Sequence, residues 1–105
     1  MKNLLVANVN KKNKRYSIDN MEPLVKAQIE NSLEIGWQPN DIILLTNFKF
    51  EFMSVKATEI TLNDFCWTGS KMFGIQYVLN NCPNDVVWAH DLDAWQNVWF
   101  DCPDF

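Results

Sequence analysis

The chain has 105 residues, 48% of them hydrophobic, enough for one small domain and too few for a second of any size. Thirteen acidic against nine basic residues give a net charge of −4, which argues against generic nucleic-acid binding through a basic surface. No apolar run approaches the ~20 residues of a membrane span, and residues 4–7 are too short, and too soon followed by Asn and Lys, to be a signal peptide.

The charge is uneven. Residues 1–56 carry eight of the nine Lys and Arg, while residues 57–105 hold only Lys71 beside seven acids. The three cysteines, Cys66, Cys82 and Cys102, are odd in number and form no C-x-x-C pair. That usage fits reduced thiols in a cytoplasmic protein better than a disulfide framework. With His90 as the one histidine, a His-rich zinc site is ruled out, and Cys₃His zinc would need distant cysteines to converge.

In chain order, Leu4-Leu-Val-Ala7 is a continuous apolar run of the kind that forms a strand buried on both faces of a parallel sheet. Asn8-Val-Asn10 ends it, and a basic loop, residues 11–15, follows. A helix is expected next, capped by Asp19 or Asn20, with Glu22 in its first turn and Pro23 tolerated that early. Val25, Ile29 and Leu33 make its apolar stripe, and Gly36 and Pro39 stop it. Residues 41–46 read as a second buried strand ending at Asn47. In residues 48–60, Phe50, Phe52 and Val55 suggest an irregular strand. A second helix is expected from Thr68, with Met72, Ile75 and Leu79 as its stripe and Asn80-Asn81 as its end. Residues 85–89 then form a third buried strand. Strand–helix–strand repeated predicts an α/β fold with right-handed crossovers and a mostly parallel sheet of three to four strands, Rossmann-like, flanked by helices.

Past the last strand come Asp91 and Asp93, one residue apart. In extended chain, residues i and i+2 share a face. Two carboxylates so placed repel unless a cation lies between them, and hard ions such as Mg²⁺ or Mn²⁺ prefer carboxylate oxygen. Ligands of open α/β sheets bind beyond the carboxyl ends of strands. Here those ends read Asn8-Val9-Asn10, Thr46-Asn47 and His90-Asp91-Leu92-Asp93, all polar and all expected on one rim.

Asp91-x-Asp93 after a hydrophobic strand, preceded by two βα units, resembles the nucleotide-sugar-dependent glycosyltransferases of the GT-A fold. The string His90-Asp-Leu-Asp-Ala-Trp-Gln96 looks closest to the small, virus-encoded enzymes of that fold and their bacterial relatives. The resemblance spans the whole chain and the first half of a typical member. It implies a hexosyltransferase-type enzyme using a UDP- or GDP-sugar donor, a sugar or glycan acceptor and Mn²⁺ or Mg²⁺. Asp93 would ligate the metal directly, and Asp91 would touch the ribose or bind the metal through water. Asn8, Val9 and Asn10 would line the base and ribose pocket, and Asn47 would hydrogen-bond base or ribose. Lys71, near the start of a helix whose amides favour anions, would meet the nucleotide or phosphate. A bound cation would stabilise charge developing on the diphosphate as the sugar departs.

The same residues also have structural readings. Asp91, Asp93, Asn8, Asn10 and Asn47 are ordinary turn residues, Lys71 suits a solvated helix surface, and His90 suits either a packed position or a place behind the metal. The tryptophans are core candidates, with Trp95 also placed to stack on a sugar. Thr68-Gly-Ser70 reads as a helix cap, since the phosphate-loop pattern G-x-x-x-x-G-K-[ST] is absent. The alternative function is a non-catalytic nucleotide or nucleotide-sugar binding module, which needs the same aspartates and no base. A haloacid-dehalogenase-type phosphotransferase would place its D-x-D after the first strand, unlike this chain, and a purely structural domain predicts no metal dependence. Twelve residues follow Asp93, too few for an acceptor pocket. The expectation is therefore the donor-binding, amino-terminal part of a longer enzyme, with an open sheet edge available for self-association.

Overall fold

The computed structural model describes residues 1–10, 12, 14–60, 67–92 and 95–96, and of 67–71 the backbone alone. Its elements are β1 (Lys2–Ala7), α1 (Ile18–Ile35), β2 (Ile42–Thr46), β3 (Glu51–Phe52), β4 (Val55–Lys56), β5 (Thr58–Glu59), α2 (Trp67–Asn81) and β6 (Val87–Ala89). Four strands form one all-parallel sheet in the order β5-β2-β1-β6, and β3 with β4 makes a separate antiparallel hairpin. The fold is α/β.

β1 and β2 are central, which explains their unbroken apolar runs. Leu5, Ala7, Ile42 and Leu44 point to one face, where they meet Met21, Val25 and Ile29 of α1. Leu4 and Leu45 point to the other, where Val78 of α2 covers them. Period-two alternation therefore feeds two apolar layers at once.

α1 starts at Ser17 rather than at Asp19 or Asn20, so Pro23 sits in the second turn, not the first. Its missing N–H costs one hydrogen bond there. The helix ends as expected. Gly36 adopts φ 121°, its N–H donates to Leu33 C=O, and Trp37 N–H donates to Ser32 C=O, the paired closure that glycine permits.

Residues 48–60 hold more than one irregular strand. A tight turn at Met53-Ser54, with φ 49° and 67°, closes the β3–β4 hairpin. Phe50, Phe52 and buried Val55 pack on the α1 side, and Lys26 Nζ lies 5.6 Å above the Phe52 ring. The chain then returns to the sheet as β5, which pairs with β2 at Leu45↔Thr58 and Thr46↔Glu59. Consequently β6 is the fourth strand of the sheet, not the third. It is also an edge strand, and Trp88 is 36% exposed, so the expectation of a third fully buried strand does not hold.

α2 turns a different face inward from the one expected. Gly74, Ile75 and Val78 approach the sheet, while Met72 and Leu79 are 61% and 56% exposed. Gly74 is the pivot: a Cβ there would lie 2.6 Å from Val6 Cγ2. The helix lies close on β1 because this residue has no side chain.

Candidate functional site

The strand order fixes where a crevice falls. From β1 the chain moves outward to β2 and β5, then α2 carries it back to β6 on the opposite side of β1. The switch in direction lies between the carboxyl ends of β1 and β6, where open α/β sheets bind ligands. β1 stays paired with β2 through Ala7, but its pairing with β6 ends at Leu4, three residues (7 − 4) earlier. At about 3.3 Å per residue the rim therefore steps by roughly 10 Å.

On the high side of the step, Asn8, Val9 and Asn47 are drawn together. Asn47 Oδ1 accepts from Val9 N–H at 2.8 Å, and Asn47 Nδ2 donates to Val9 C=O at 2.8 Å and to Asn8 Oδ1 at 2.5 Å. The side chain of Asn47 thus extends the β1–β2 ladder by one rung. Both its amide hydrogens bond within the rim, so Asn47 braces it. Asn10 closes the next turn: its Oδ1 accepts from Lys12 N–H at 2.9 Å, and its N–H donates to Tyr16 C=O. Val9 packs its side chain against the α1-side core.

On the low side, the chain leaves β6 at His90 and folds onto α1. His90 Nε2 lies 3.0 Å from Asn3 Oδ1 and Nδ1 3.2 Å from the Asp91 carbonyl. Both ring nitrogens face protein oxygens, which makes His90 a fastening of the turn. Leu92, between the two aspartates, is buried in the α1-side core, while Asp91 is exposed. Asp93 lies outside the described residues. Asp85, in the lead-in to β6, is at the opposite end of the sheet, 3.9 Å from the amino terminus.

Lys71 belongs to the early turns of α2. α2 links parallel strands and so runs antiparallel to them, which brings its amino-terminal end to the same rim. Among the described tryptophans, Trp37 is a core residue as expected, but Trp95 is 48% exposed rather than buried. Cys82 is a free thiol; Cys66, Cys102 and Trp99 lie outside the described residues.

Sequence reasoning missed Asn3, Gln28 and Ser32, all buried on the α1 side of β1. Asn3 Nδ2 donates to Ser32 Oγ at 3.0 Å, and Gln28 Nε2 donates to the Leu92 carbonyl at 2.6 Å. A signal was present: Gln28 and Ser32 fall at i+3 and i+7 from Val25, on the stripe assigned to the core.

Comparison with protein-family models, curated proteins and solved structures returns no match. No helix among the described residues is long and apolar enough to cross a membrane.

Proposed function

We propose that this domain binds a nucleoside-diphosphate sugar, with UDP or GDP as the nucleotide, together with Mn²⁺ or Mg²⁺, as the donor-binding region of a hexosyltransferase-type glycosyltransferase. The observation that carries the reading is the switch point: the β1/β6 crevice is flanked by the braced Asn8–Val9 end on one side and by exposed Asp91 on the other. On this reading Asn8, Val9 and Asn10 would serve the base and ribose, Asp91 and Asp93 the diphosphate and its cation, and Lys71 the phosphate.

The donor set decides what kind of metal fits. Among the described residues no three His, Cys, Asp or Glu side chains converge, so they form no closed protein cage. Mg²⁺, and Mn²⁺ by similar preference, keeps several waters and takes one or two carboxylates plus substrate phosphate oxygens. The aspartate pair suits a cation that arrives with the diphosphate. When bound, that cation would stabilise negative charge on the leaving nucleotide.

Calorimetric titration with UDP and GDP, with and without Mn²⁺, tests the reading on the wild-type protein and on Asp93→Ala. Nucleotide binding that requires Mn²⁺ and disappears in the variant is the expected result. Binding that is absent, or indifferent to Mn²⁺, overturns it.

A further inference from the structure

We propose that Gln28 and Asn31 of α1, with Asn3 of β1, are positioning residues that hold the aspartate-bearing segment after β6 in the geometry its cation needs; this rests on the donor-site reading above. After Ala89 the described chain has no strand or helix pairing to order it. Its main chain is held by side chains instead. Gln28 Nε2 donates to the Leu92 carbonyl at 2.6 Å, and Asn31 Nδ2 donates to the Gln96 carbonyl at 3.1 Å. Trp37 Nε1 donates to Gln96 Oε1 at 2.9 Å. Asn3 fastens His90, whose other ring nitrogen lies against the Asp91 carbonyl.

These contacts are costly places for polar groups. Gln28 and Asn3 are fully buried in a layer that, Ser32 apart, is built mainly from apolar side chains such as Met21, Val25, Ile29 and Leu5. Burying an amide is unfavourable unless it is hydrogen-bonded, and an apolar side chain of like volume needs no partner. What the amides provide is a defined path for residues 90–92 and 95–96. A bond to a main-chain carbonyl fixes that path without engaging the side chain of the residue it holds. Leu92 and Trp95–Gln96, the described neighbours of Asp93 on either side, are the residues so held or adjoining them. Metal and diphosphate sites depend on such support, because the ligating groups must be held to within about 0.5 Å.

The test uses Gln28→Leu and Asn31→Ala, read by amide hydrogen exchange in the ligand-free protein and by calorimetry with UDP and Mn²⁺. Gln28→Leu is expected to speed exchange across residues 90–96 with little change in global unfolding. It should also weaken Mn²⁺-dependent UDP binding at least tenfold. Asn31→Ala, a half-buried site that tolerates truncation, should act in the same direction by a smaller factor. Unchanged exchange across 90–96 in both variants overturns the proposal, as does faster exchange with unaltered Mn²⁺-dependent affinity. A wild-type protein without Mn²⁺-dependent binding overturns the donor-site reading and the metal role with it. The exchange arm distinguishes these failures, since it reads the segment before any ligand is added.

Discussion

Asn47 grips the backbone of Val9 from both ends of its amide, accepting from the N–H and donating to the C=O, each at 2.8 Å. The pairing is that of two adjacent parallel strands, made by a side chain one residue past the end of β2. Asn47→Asp keeps the acceptor and removes both hydrogens, setting a carboxylate against the Val9 carbonyl and Asn8 Oδ1. We expect a loss of about 2 kcal/mol, the scale of an unsatisfied, partly buried polar pair. Asn47→Ala should cost less, because water can replace the side chain at a half-buried rim. Urea unfolding of the two variants measures the difference; equal stability of Asn47→Asp and wild type would remove the brace from the account.

Gly74 carries the packing of α2. A methyl group there meets Val6 Cγ2 at 2.6 Å, and Val6, β-branched, has little rotamer freedom with which to yield. Helix propensity favours alanine over glycine by about 1 kcal/mol, while overpacking of this kind costs about 1–3 kcal/mol. The clash is with a stiff side chain on a central strand, so overpacking wins and Gly74→Ala destabilises. In a cycle with Val6→Ala the two changes should be non-additive by about 1 kcal/mol or more in the compensating direction. Strict additivity in denaturant unfolding would show that α2 does not bear on β1 at this point.

On the donor-site reading, the cation and the nucleotide bind as linked ligands. With one or two carboxylates available, Mn²⁺ alone should bind weakly, and saturating UDP or GDP should tighten it. Couplings of 1–3 kcal/mol, a factor of about 5–150, are usual between linked ligands, and the nucleotide must gain by the same factor when Mn²⁺ is present. Asp91→Ala should reduce that factor without abolishing folding, since its side chain is exposed. Calorimetry run in both orders checks the reciprocity. Tight Mn²⁺ binding in the absence of nucleotide would contradict a cation that comes in with the diphosphate.

What the sequence made legible follows its periodicities. β1, β2 and the body and end of α1, though not its start, are read correctly because continuous apolar runs and i, i+4, i+8 spacing survive burial on both sides of a sheet, and Gly36 marks the helix end. β5 is invisible for the opposite reason: Thr58 and Glu59 are two polar, exposed residues on an edge, with no pattern to detect. α2 is found, but its face is not, because its closest approach is made by Gly74, a residue that apolar counting ignores. The same limit applies at the rim. Polar strand ends reveal Asn8, Asn47 and Asp91 as rim residues, whereas their division into brace and exposed group depends on hydrogen bonds between elements far apart in sequence. Asn3 and Gln28 are hidden because a polar residue on an apolar stripe reads as noise until its partner is seen: Leu92, 64 residues from Gln28, and His90, 87 residues from Asn3.

The hairpin turn offers the last test, because its sequence opposes its geometry. Met53 and Ser54 both adopt positive φ, 49° and 67°, the conformation that two-residue hairpin turns require and that Asn-Gly supplies at low cost. Non-glycine residues held there cost of order 1–3 kcal/mol each. Met53 is exposed, so replacing it forfeits little packing. Substituting Asn-Gly for Met53-Ser54 should therefore stabilise the protein by about 1–2 kcal/mol and raise its thermal midpoint. The gain should come without effect on nucleotide binding, since the turn lies in the β3–β4 hairpin and not at the β1/β6 crevice. A neutral or destabilising result would mean that Val55 and Phe52, not the turn, hold the hairpin closed, and that the positive φ values impose no strain worth relieving.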